Sequence, residues 1–318
     1  MKIQIQTKKL KSCIYYGLFL IPTIIISILV IFGLINNMNN TKSIELSNLQ
    51  LYVQDLAKQK QFYTELVGLK VIEESATNVK LGSDTSVVIE LIQEAEYTYA
   101  PSRDAGLYHS ALVYETRAQL ASTISGILSK RMDLYQGSSD HGATEAFYFA
   151  DPEGNGVELY FDKPLSEVAF DSEGKPIMGS VYIDQNLYMQ AHLDVNDSEP
   201  LIRIGHMHLK VGNIEKAKEF YVDVLNFDVM SQSAQTLFVS KDNYHHHLGM
   251  NNWESPNAGK RLPLKYGLKS FNINYLDKSL FDKVISNIES ASVVVNKLSE
   301  TEYSVEDPWR NIIVLKLV

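Results

Sequence analysis

The sequence predicts an α+β protein in which four βαβββ modules form two cup-shaped domains of mixed β-sheet, preceded by one N-terminal transmembrane helix. Residues 13–35 carry no charged side chain, which is typical of a membrane-spanning helix. A pattern of strand, helix and strand occurs at residues 49–72 and again at residues 207–230. Two further stretches, ADPEGNGVELYF and EDPWRNIIVLKL, each end a module with a turn and a last strand. Such repetition favours a modular fold, because each module has a sheet face that it cannot bury alone.

The N-terminal segment predicts a single membrane anchor. As a helix, residues 13–35 extend about 35 Å, which is enough to cross the hydrocarbon core of a bilayer. Four lysines lie in the basic stretch 1–12, so we expect the N-terminus on the cytoplasmic side of the cell membrane and the globular part outside. A cleaved signal peptide is the alternative, although the apolar run is long and no small-x-small cleavage site follows it. Translation from Met38 would instead give a cytoplasmic form.

Composition narrows the chemistry that the protein performs. The chain has 318 residues, enough for about two domains, and a net charge of -9. No basic cluster follows the N-terminal segment, which argues against nucleic acid as a partner. The single cysteine, Cys13, excludes a disulfide within the chain and argues against a cysteine nucleophile or a zinc thiolate site. Histidine and carboxylate side chains are therefore the candidates for catalysis or metal binding.

The four modules are predicted to lie in two domains. Modules one and two (46–98 and 104–163) make a first domain, 46–163; a linker rich in Ser, Asp, Gly and Asn covers 164–201; modules three and four (202–254 and 264–318) make a second domain, 202–318. In the first and third modules the helix carries an aromatic pair, Phe62–Tyr63 and Phe220–Tyr221. We expect both pairs to pack into the core.

The most informative stretch is HGATEAFYFADPEGNGVE, residues 141–158. Its D-P-E-G-N sequence predicts a tight turn, since Pro presets φ and Gly or Asn tolerates a positive φ. Tyr148 and Glu158 therefore lie on adjacent antiparallel strands and point into one cavity. A carboxylate that faces a cavity is costly without a partner, and a cation supplies one. For Tyr148, a buried structural role is the alternative.

This stretch resembles the signature of extradiol ring-cleaving dioxygenases, in which the Glu binds Fe(II) and the Tyr contacts the substrate. The stretches GLYHSA, SDHGATEA and IGHMHLKV match the same proteins, and only Ser139, at a small-residue position, departs from the pattern. The order of modules resembles the vicinal oxygen chelate superfamily, which includes glyoxalase I, bleomycin-resistance proteins and two-domain catechol 2,3-dioxygenase-like proteins. The resemblance implies that two modules face one another as a cup, with metal ligands from their first and last strands.

Aligning the modules on this pattern gives one credible set of metal ligands. The first-strand positions are Asn48, His109, His206 and Ser270, and the last-strand positions are Glu90, Glu158, a residue of the run 245–247, and Val314. Modules two and three together hold His109, Glu158 and His206, the two-histidine, one-carboxylate triad of non-haem Fe(II) enzymes. Mn(II) accepts the same ligands. We therefore predict that modules two and three pair across the linker, and that modules one and four form no metal site.

Three further residues are assigned from the resemblance. The segment HHHLGM, residues 245–250, resembles the family stretch whose second histidine is the acid–base residue, which assigns that role to His246. Alternation along a strand would put His246 on one face and its two neighbours on the other, so which of them faces the cavity stays open. His141 and Tyr148 match a histidine and a tyrosine that contact the substrate. A polar strand edge or an adventitious metal-binding tract is the alternative for the histidine run.

The function predicted first is an Fe(II)-dependent dioxygenase that cleaves the ring of a catechol or hydroquinone with O₂. A glyoxalase-like lyase or transferase is one alternative. Glyoxalase sites usually have four protein ligands, two of them Glu or Gln, whereas the fourth place here holds a histidine. A non-catalytic protein that binds a small molecule is the other alternative. The substrate, the metal and the oligomeric state are not fixed by the sequence.

Overall fold

The computed structural model describes residues 42–83, 86–194, 199–291 and 293–318. The predicted basic stretch 1–12 and the predicted anchor 13–35 lie outside these residues. Across the described ranges, no helix has both the length and the apolar character needed to cross a bilayer.

The described residues form sixteen strands and five α-helices, as the sequence predicts for an α+β protein. The strands are β1 (Ile44–Val53), β2 (Lys70–Glu74), β3 (Asn78–Ser83), β4 (Ser86–Gln93), β5 (Gly106–Tyr114), β6 (Tyr135–Asp140), β7 (Thr144–Ala150), β8 (Gly156–Asp162), β9 (Arg203–Lys210), β10 (Asp228–Gln232), β11 (Thr236–Ser240), β12 (Leu248–Asn251), β13 (Gly267–Tyr275), β14 (Val295–Ser299), β15 (Glu302–Glu306) and β16 (Ile312–Leu317). The α-helices are Leu56–Gln61, Arg117–Arg131, Gln185–His192, Ile214–Lys218 and Lys278–Ser290, with π-helical turns at Phe62–Leu66 and Glu219–Val224 and 3-10 turns at Met132–Leu134 and Leu165–Glu167.

These strands make two mixed sheets of eight strands each. The central sheet contains modules two and three in the order β10-β11-β12-β9-β5-β8-β7-β6. The flanking sheet contains modules one and four in the order β14-β15-β16-β13-β1-β4-β3-β2. The predicted pairing of modules two and three across the linker is confirmed. The division into sequential domains at 46–163 and 202–318 stays a prediction, and each sheet takes one module from each half of the sequence.

Each sheet is built around an antiparallel pair of first strands. In the central sheet β5 pairs with β9, and in the flanking sheet β1 pairs with β13. The first strand of a module also pairs with the last strand of that module in parallel, as β5 does with β8 and β9 with β12. Side chains from first and last strands of two modules therefore meet at the centre of one sheet face.

The helices of modules one and three begin and continue in the same way. The Asp55 side chain caps Leu56–Gln61 by accepting from the Lys58 amide, and Asn213 caps Ile214–Lys218 by accepting from the Lys216 amide. Side-chain oxygens at these positions satisfy an amide that has no partner within the helix. Both helices continue into a π-helical turn that carries the aromatic pair.

The aromatic pairs are buried in the core, as predicted. Tyr63 and Tyr221 also reach the D-P turn of the following module. The Tyr63 hydroxyl donates to Asp151 Oδ2 over 3.2 Å, and the Tyr221 hydroxyl donates to Asp307 Oδ2 over 2.9 Å. Each turn is therefore tied to the helix of the module before it, which positions the last strand that follows the turn.

The described part of the linker runs beside the central sheet. Asp140, at the end of β6, forms a β-bridge with Val181 of the linker. The Tyr188 ring on the helix Gln185–His192 is buried and packs against the Phe147 ring, with centroids 4.8 Å apart. The bridge at Asp140 and the bond from the Gly179 amide to the His141 carbonyl place the linker against the loop that follows β6, where His141 lies.

Candidate metal centre

The predicted ligands come from three adjacent strands of the central sheet. His109 lies on β5, Glu158 on β8 and His206 on β9. Ala111 on β5 is in register with Glu158 on one side and with His206 on the other. His109 precedes Ala111 by two residues and shares its face of the sheet. The register therefore brings one side chain from each strand to a single point.

The three side chains converge on one carboxylate oxygen. His109 Nε2 lies 2.9 Å from Glu158 Oε2, and His206 Nε2 lies 3.1 Å from the same oxygen. Their candidate ligand atoms all lie within 4.8 Å of one another, and the residues are only 6%, 2% and 2% exposed for His109, Glu158 and His206. His206 Nε2 has the geometry of a hydrogen bond, whereas His109 Nε2 is buried and, among the described residues, has no hydrogen-bond partner of acceptable angle.

The charges of the set suit a divalent cation. Burial alone would raise the pKa of Glu158, but His206 and His109 together hold that pKa well below its ordinary value, so the carboxylate is ionised. Burial lowers the pKa of His206, and the charge of Glu158 opposes this only in part, so the imidazole is neutral at pH 7. One carboxylate and two imidazole nitrogens are the donors that a divalent transition metal takes. The His109 nitrogen, which lies 2.9 Å from Glu158 Oε2 without the geometry of a hydrogen bond, fits the same conclusion, because a buried nitrogen normally makes a well-formed hydrogen bond.

Tyr148 and His141 form a hydrogen-bonded pair beside this set. Tyr148 on β7 lies directly opposite Glu158 on β8. His141 Nδ1 donates to the Gly179 carbonyl over 2.8 Å, which leaves Nε2 to accept from the Tyr148 hydroxyl over 2.7 Å. Burial, followed by the charge of Glu158, raises the pKa of Tyr148, so its hydroxyl stays protonated. The structure thus brings both predicted substrate-contacting residues to the edge of the metal set.

The histidine run 245–247 precedes β12 rather than forming part of it, so the alternation expected of a strand does not apply. His246 and His245 both approach His206, with ring centroids 4.2 Å and 5.6 Å away. His247 instead bonds through Nδ1 to the Ser240 hydroxyl at 2.9 Å. His245 and His246 therefore both face the site. Alternation along a strand would have brought either His246 alone or its two neighbours, His245 and His247, to that face.

An aromatic wall beside His109 was not predicted from the sequence. The His208 ring lies 4.8 Å from the His109 ring, 5.1 Å from the Tyr108 ring and 5.8 Å from the Trp253 ring. The Asn251 side-chain amide donates to His208 Nε2 over 3.0 Å. The signal for His208 was its position two residues after His206, which puts both on one face of β9. Trp253, to which the sequence analysis gave no role, follows β12 in a loop.

The equivalent place in the flanking sheet holds an amide network. Glu90 accepts from Gln50 Nε2 over 2.5 Å and from Asn78 Nδ2 over 2.6 Å. The Ser270 hydroxyl donates to Gln50 Oε1 over 2.7 Å. Asn48, which corresponds to His109, has a positive φ of 43°. Glu90 is therefore satisfied by neutral amides. Glu158, at the equivalent place in the central sheet, faces imidazoles instead and would be satisfied by a cation.

Paired βαβββ modules with a buried His-His-Glu set at the centre of one sheet define a class of proteins with a candidate site for a divalent metal. The model of the Glyoxalase/Bleomycin resistance protein/Dioxygenase superfamily matches residues 45–159 and 203–313, and the chain belongs to this superfamily. The family resemblance of the sequence is therefore confirmed.

Individual relatives agree with this assignment. The chain is 31% identical to a catechol-2,3-dioxygenase of Bacillus subtilis (strain 168) over 265 residues, which cover 81% of this chain and 92% of the relative. A crystal structure from Bacillus subtilis subsp. subtilis str. 168, provisionally described as a dioxygenase, has a TM-score of 0.60 at 10% identity and covers 87% of this chain and 86% of that one. Glyoxalase I from Zea mays has a TM-score of 0.52 at 16% identity, covering 86% and 92%. The two solved structures share the fold.

Proposed function

We propose that this protein is an extradiol-type dioxygenase that uses Fe(II) to cleave the ring of a catechol or hydroquinone with O₂. The observation that carries the proposal is the convergence of His109, His206 and Glu158 next to the Tyr148 hydroxyl. The similarity to a catechol-2,3-dioxygenase over most of the chain supports the same activity. Mn(II) accepts the same donors and is the alternative metal.

The chemistry that Fe(II) supplies in such a site is chelation of the diol and activation of O₂. The two imidazoles of His109 and His206 and the carboxylate of Glu158 would hold the cation, and a set of three protein ligands would leave coordination positions for substrate. Because His109, Glu158 and His206 are almost fully buried, water is kept from their donor atoms.

His246 is the residue that we assign to proton transfer. Its ring lies 4.2 Å from that of His206, which places it beside the proposed metal ligands. Burial, followed by the neighbouring histidines, lowers the pKa of His246 well below the ordinary value, so the ring is neutral at pH 7. The Tyr148 hydroxyl gives its single proton to His141 Nε2, so its oxygen is left to accept a hydrogen bond from the substrate on the other side of the set. His141 holds the Tyr148 hydroxyl in place through its Nε2 atom.

The aromatic wall suits a flat aromatic substrate. Tyr108 and Trp253 lie edge to face with ring centroids 5.5 Å apart, and both contact His208. Aromatic side chains bind planar rings by stacked or edge-to-face contacts. This wall stands next to His109, so an aromatic ring held against it would lie within reach of the metal set.

The test is oxygen uptake by the full-length protein in detergent, made metal-free and loaded anaerobically with Fe(II), on a panel of catechols and hydroquinones. We expect O₂ consumption with a yellow ring-opened product, lost in Glu158→Gln and kept in the matched variant Glu90→Gln. Tight binding of one metal per chain without uptake would favour a glyoxalase-like activity. Absence of metal binding would favour a non-catalytic binding protein.

For localisation we propose a single-pass anchor at residues 13–35, with the N-terminus cytoplasmic and the globular part outside the cell membrane. The support is the uncharged apolar run and the lysines before it. Protease added to intact cells should remove the globular part, while a cytoplasmic control protein survives. Recovery of the protein in the soluble cytoplasmic fraction, starting at Met38, would contradict the anchor.

A further inference from the structure

We propose that His206, His245 and His246 form a second metal site, which binds Zn²⁺, Cu²⁺ or Ni²⁺ and excludes a metal from the first site. The second site shares His206 with the His109–Glu158–His206 set. Its existence does not depend on the reaction proposed above, because it concerns metal binding alone.

The three imidazoles already lie close together. Their candidate ligand atoms are all within 4.8 Å of one another, and the residues are only 2%, 4% and 8% exposed. Ring centroids are 4.2 Å apart for His206 and His246, and 4.6 Å apart for His245 and His246. Tetrahedral zinc with bonds of about 2.0–2.1 Å needs nitrogens about 3.3 Å apart, so small side-chain rotations would bring the three nitrogens to the required spacing.

Two nitrogens of this cluster are buried and unsatisfied. His206 Nδ1 and His245 Nε2 have no hydrogen-bond partner in the described part of the chain. Buried polar atoms are nearly always paired, and atoms that are not call for an explanation such as an ion. A cation between them would satisfy both atoms at once.

The carboxylate of Asp162 lies near the side of the His245 ring that faces away from the proposed metal. Asp162 Oδ1 lies 3.6 Å from His245 Nδ1, the nitrogen that the proposed site does not use. A carboxylate in this place favours the proton on Nδ1 and leaves the lone pair on Nε2, as is common for histidines that ligate metals. The same carboxylate accepts from the Tyr244 hydroxyl at 3.0 Å, which fixes its position.

The local backbone explains why two adjacent histidines face the same way. Asp242 and Asn243 both have positive φ, 57° and 56°, so the chain turns sharply just before the run. Neighbouring side chains on a strand would point to opposite faces. In the loop, His245 and His246 both lie against His206 instead.

The donor set selects a different metal from the first site. Three imidazoles without a carboxylate suit Zn²⁺, Cu²⁺ and Ni²⁺, and these cations bind nitrogen donors more tightly than Fe²⁺ does. The first site, which includes an anionic carboxylate, better matches Fe(II) or Mn(II).

The two sites cannot be filled at the same time, because a neutral imidazole has one lone pair. When His206 Nδ1 binds a metal, Nε2 carries the proton and donates to Glu158 at 3.1 Å. The first site then loses a ligand, and His246 is no longer available for proton transfer. Zinc at the second site would therefore displace Fe(II) and stop turnover.

The first experiment uses full-length protein in detergent with both exclusive ligands of the first site replaced, His109→Gln with Glu158→Gln. We expect this variant to bind one Zn²⁺ per chain by titration calorimetry, and Cu²⁺ with several nitrogen ligands by electron paramagnetic resonance. Adding His245→Gln should weaken zinc binding at least 100-fold, while adding His192→Gln should not, because His192 packs on Tyr188 and belongs to neither cluster. Unchanged binding after His245→Gln, or no binding in the parent variant, would overturn the proposal.

A second experiment avoids variants that lack the first site. Protein loaded with Fe(II) is titrated with Zn²⁺, and released Fe(II) is measured with a colorimetric chelator. We expect one Fe(II) to leave for each Zn²⁺ bound, with at least 10-fold more zinc needed in His245→Gln. Equal zinc requirement in wild type and His245→Gln would show direct competition at the first site and would contradict a second one.

Discussion

The Tyr148 hydroxyl donates a 2.7 Å hydrogen bond to His141, and His141 is held in turn by the carbonyl of Gly179 in the linker. The linker thus fixes the tautomer of His141 and, through it, the direction of the Tyr148 hydroxyl. A segment that joins two halves of the sequence therefore takes part in arranging the site.

Tyr148→Phe should lower kcat by about 10–100-fold while leaving metal content unchanged, because the hydroxyl is a hydrogen-bonding group and not a metal ligand. His141→Gln should have a smaller effect. The double variant should be no slower than Tyr148→Phe alone, since His141 acts through the hydroxyl. Steady-state kinetics and metal analysis check this. If the fold-decreases in kcat of the two single variants multiply in the double variant, His141 contacts the substrate independently of Tyr148.

His206→Ala should abolish binding of Fe(II), because the first site keeps only His109 and Glu158. The matched variant Ser270→Ala changes the corresponding first strand of the flanking sheet and removes only the bond to Gln50. It should cost about 0.5–1.5 kcal/mol of stability and leave metal content intact. Equal metal loss in both variants would mean that the flanking sheet also binds metal.

Four buried histidines should make the metal-free protein sensitive to mild acid. Burial lowers the pKa of His206, His208, His245 and His246. Because each pKa is lower in the folded state, the unfolded chain binds more protons than the folded protein once the pH falls below about 6.5. The contribution of these histidines to the free energy of unfolding is therefore full above that pH and is lost as the pH falls below it. Each imidazole adds up to about 1.4 kcal/mol per pH unit.

Urea unfolding of the metal-free protein at pH 7.5, 6.5 and 5.5 measures this slope. His208→Gln removes one titrating group and should make the slope shallower. A midpoint that does not change between pH 7.5 and 5.5 would contradict the lowered pKa values.

Tyr63→Phe should destabilise the fold by about 1–3 kcal/mol without changing metal content, because a buried carboxylate loses one of its donors. Asp151 keeps its bonds from the Asn155 and Glu153 amides. Tyr221→Phe, which removes the bond to Asp307, is the matched variant in the other sheet and should behave alike. Chemical denaturation and metal analysis test both. Loss of metal in Tyr63→Phe alone would mean that the turn before β8 directly controls Glu158.

Much of the first site was predictable from sequence because it lies on regular strands. Glu158 and Tyr148 flank a turn with strong Pro and Gly signals, and the strand period of two places them on one face. The positions of His109 on β5 and His206 on β9, the predicted ligands, follow from the repeat. These positions depend on local geometry that a short stretch of sequence determines.

The rest of the site depends on loops. His245 lies beside His206 because of two consecutive positive φ angles at Asp242 and Asn243, which neither residue type requires. Trp253 reaches His208 from an irregular segment after β12, and Gly179 reaches His141 from the linker. Such contacts between distant segments follow from tertiary packing and leave no periodic signal in the sequence.

The arrangement of the two sheets also bears on how the protein folds. Gln50 and Ser270, which meet across β1 and β13, are 220 positions apart in the sequence, and the whole central sheet lies between them. Pairings of such long range are slow to form, because a large loop must close before any contact compensates for its lost entropy. We therefore expect the strands of the central sheet to pair first and β1 and β13 of the flanking sheet to pair last. The metal would then have a binding site before the strands of the flanking sheet have paired.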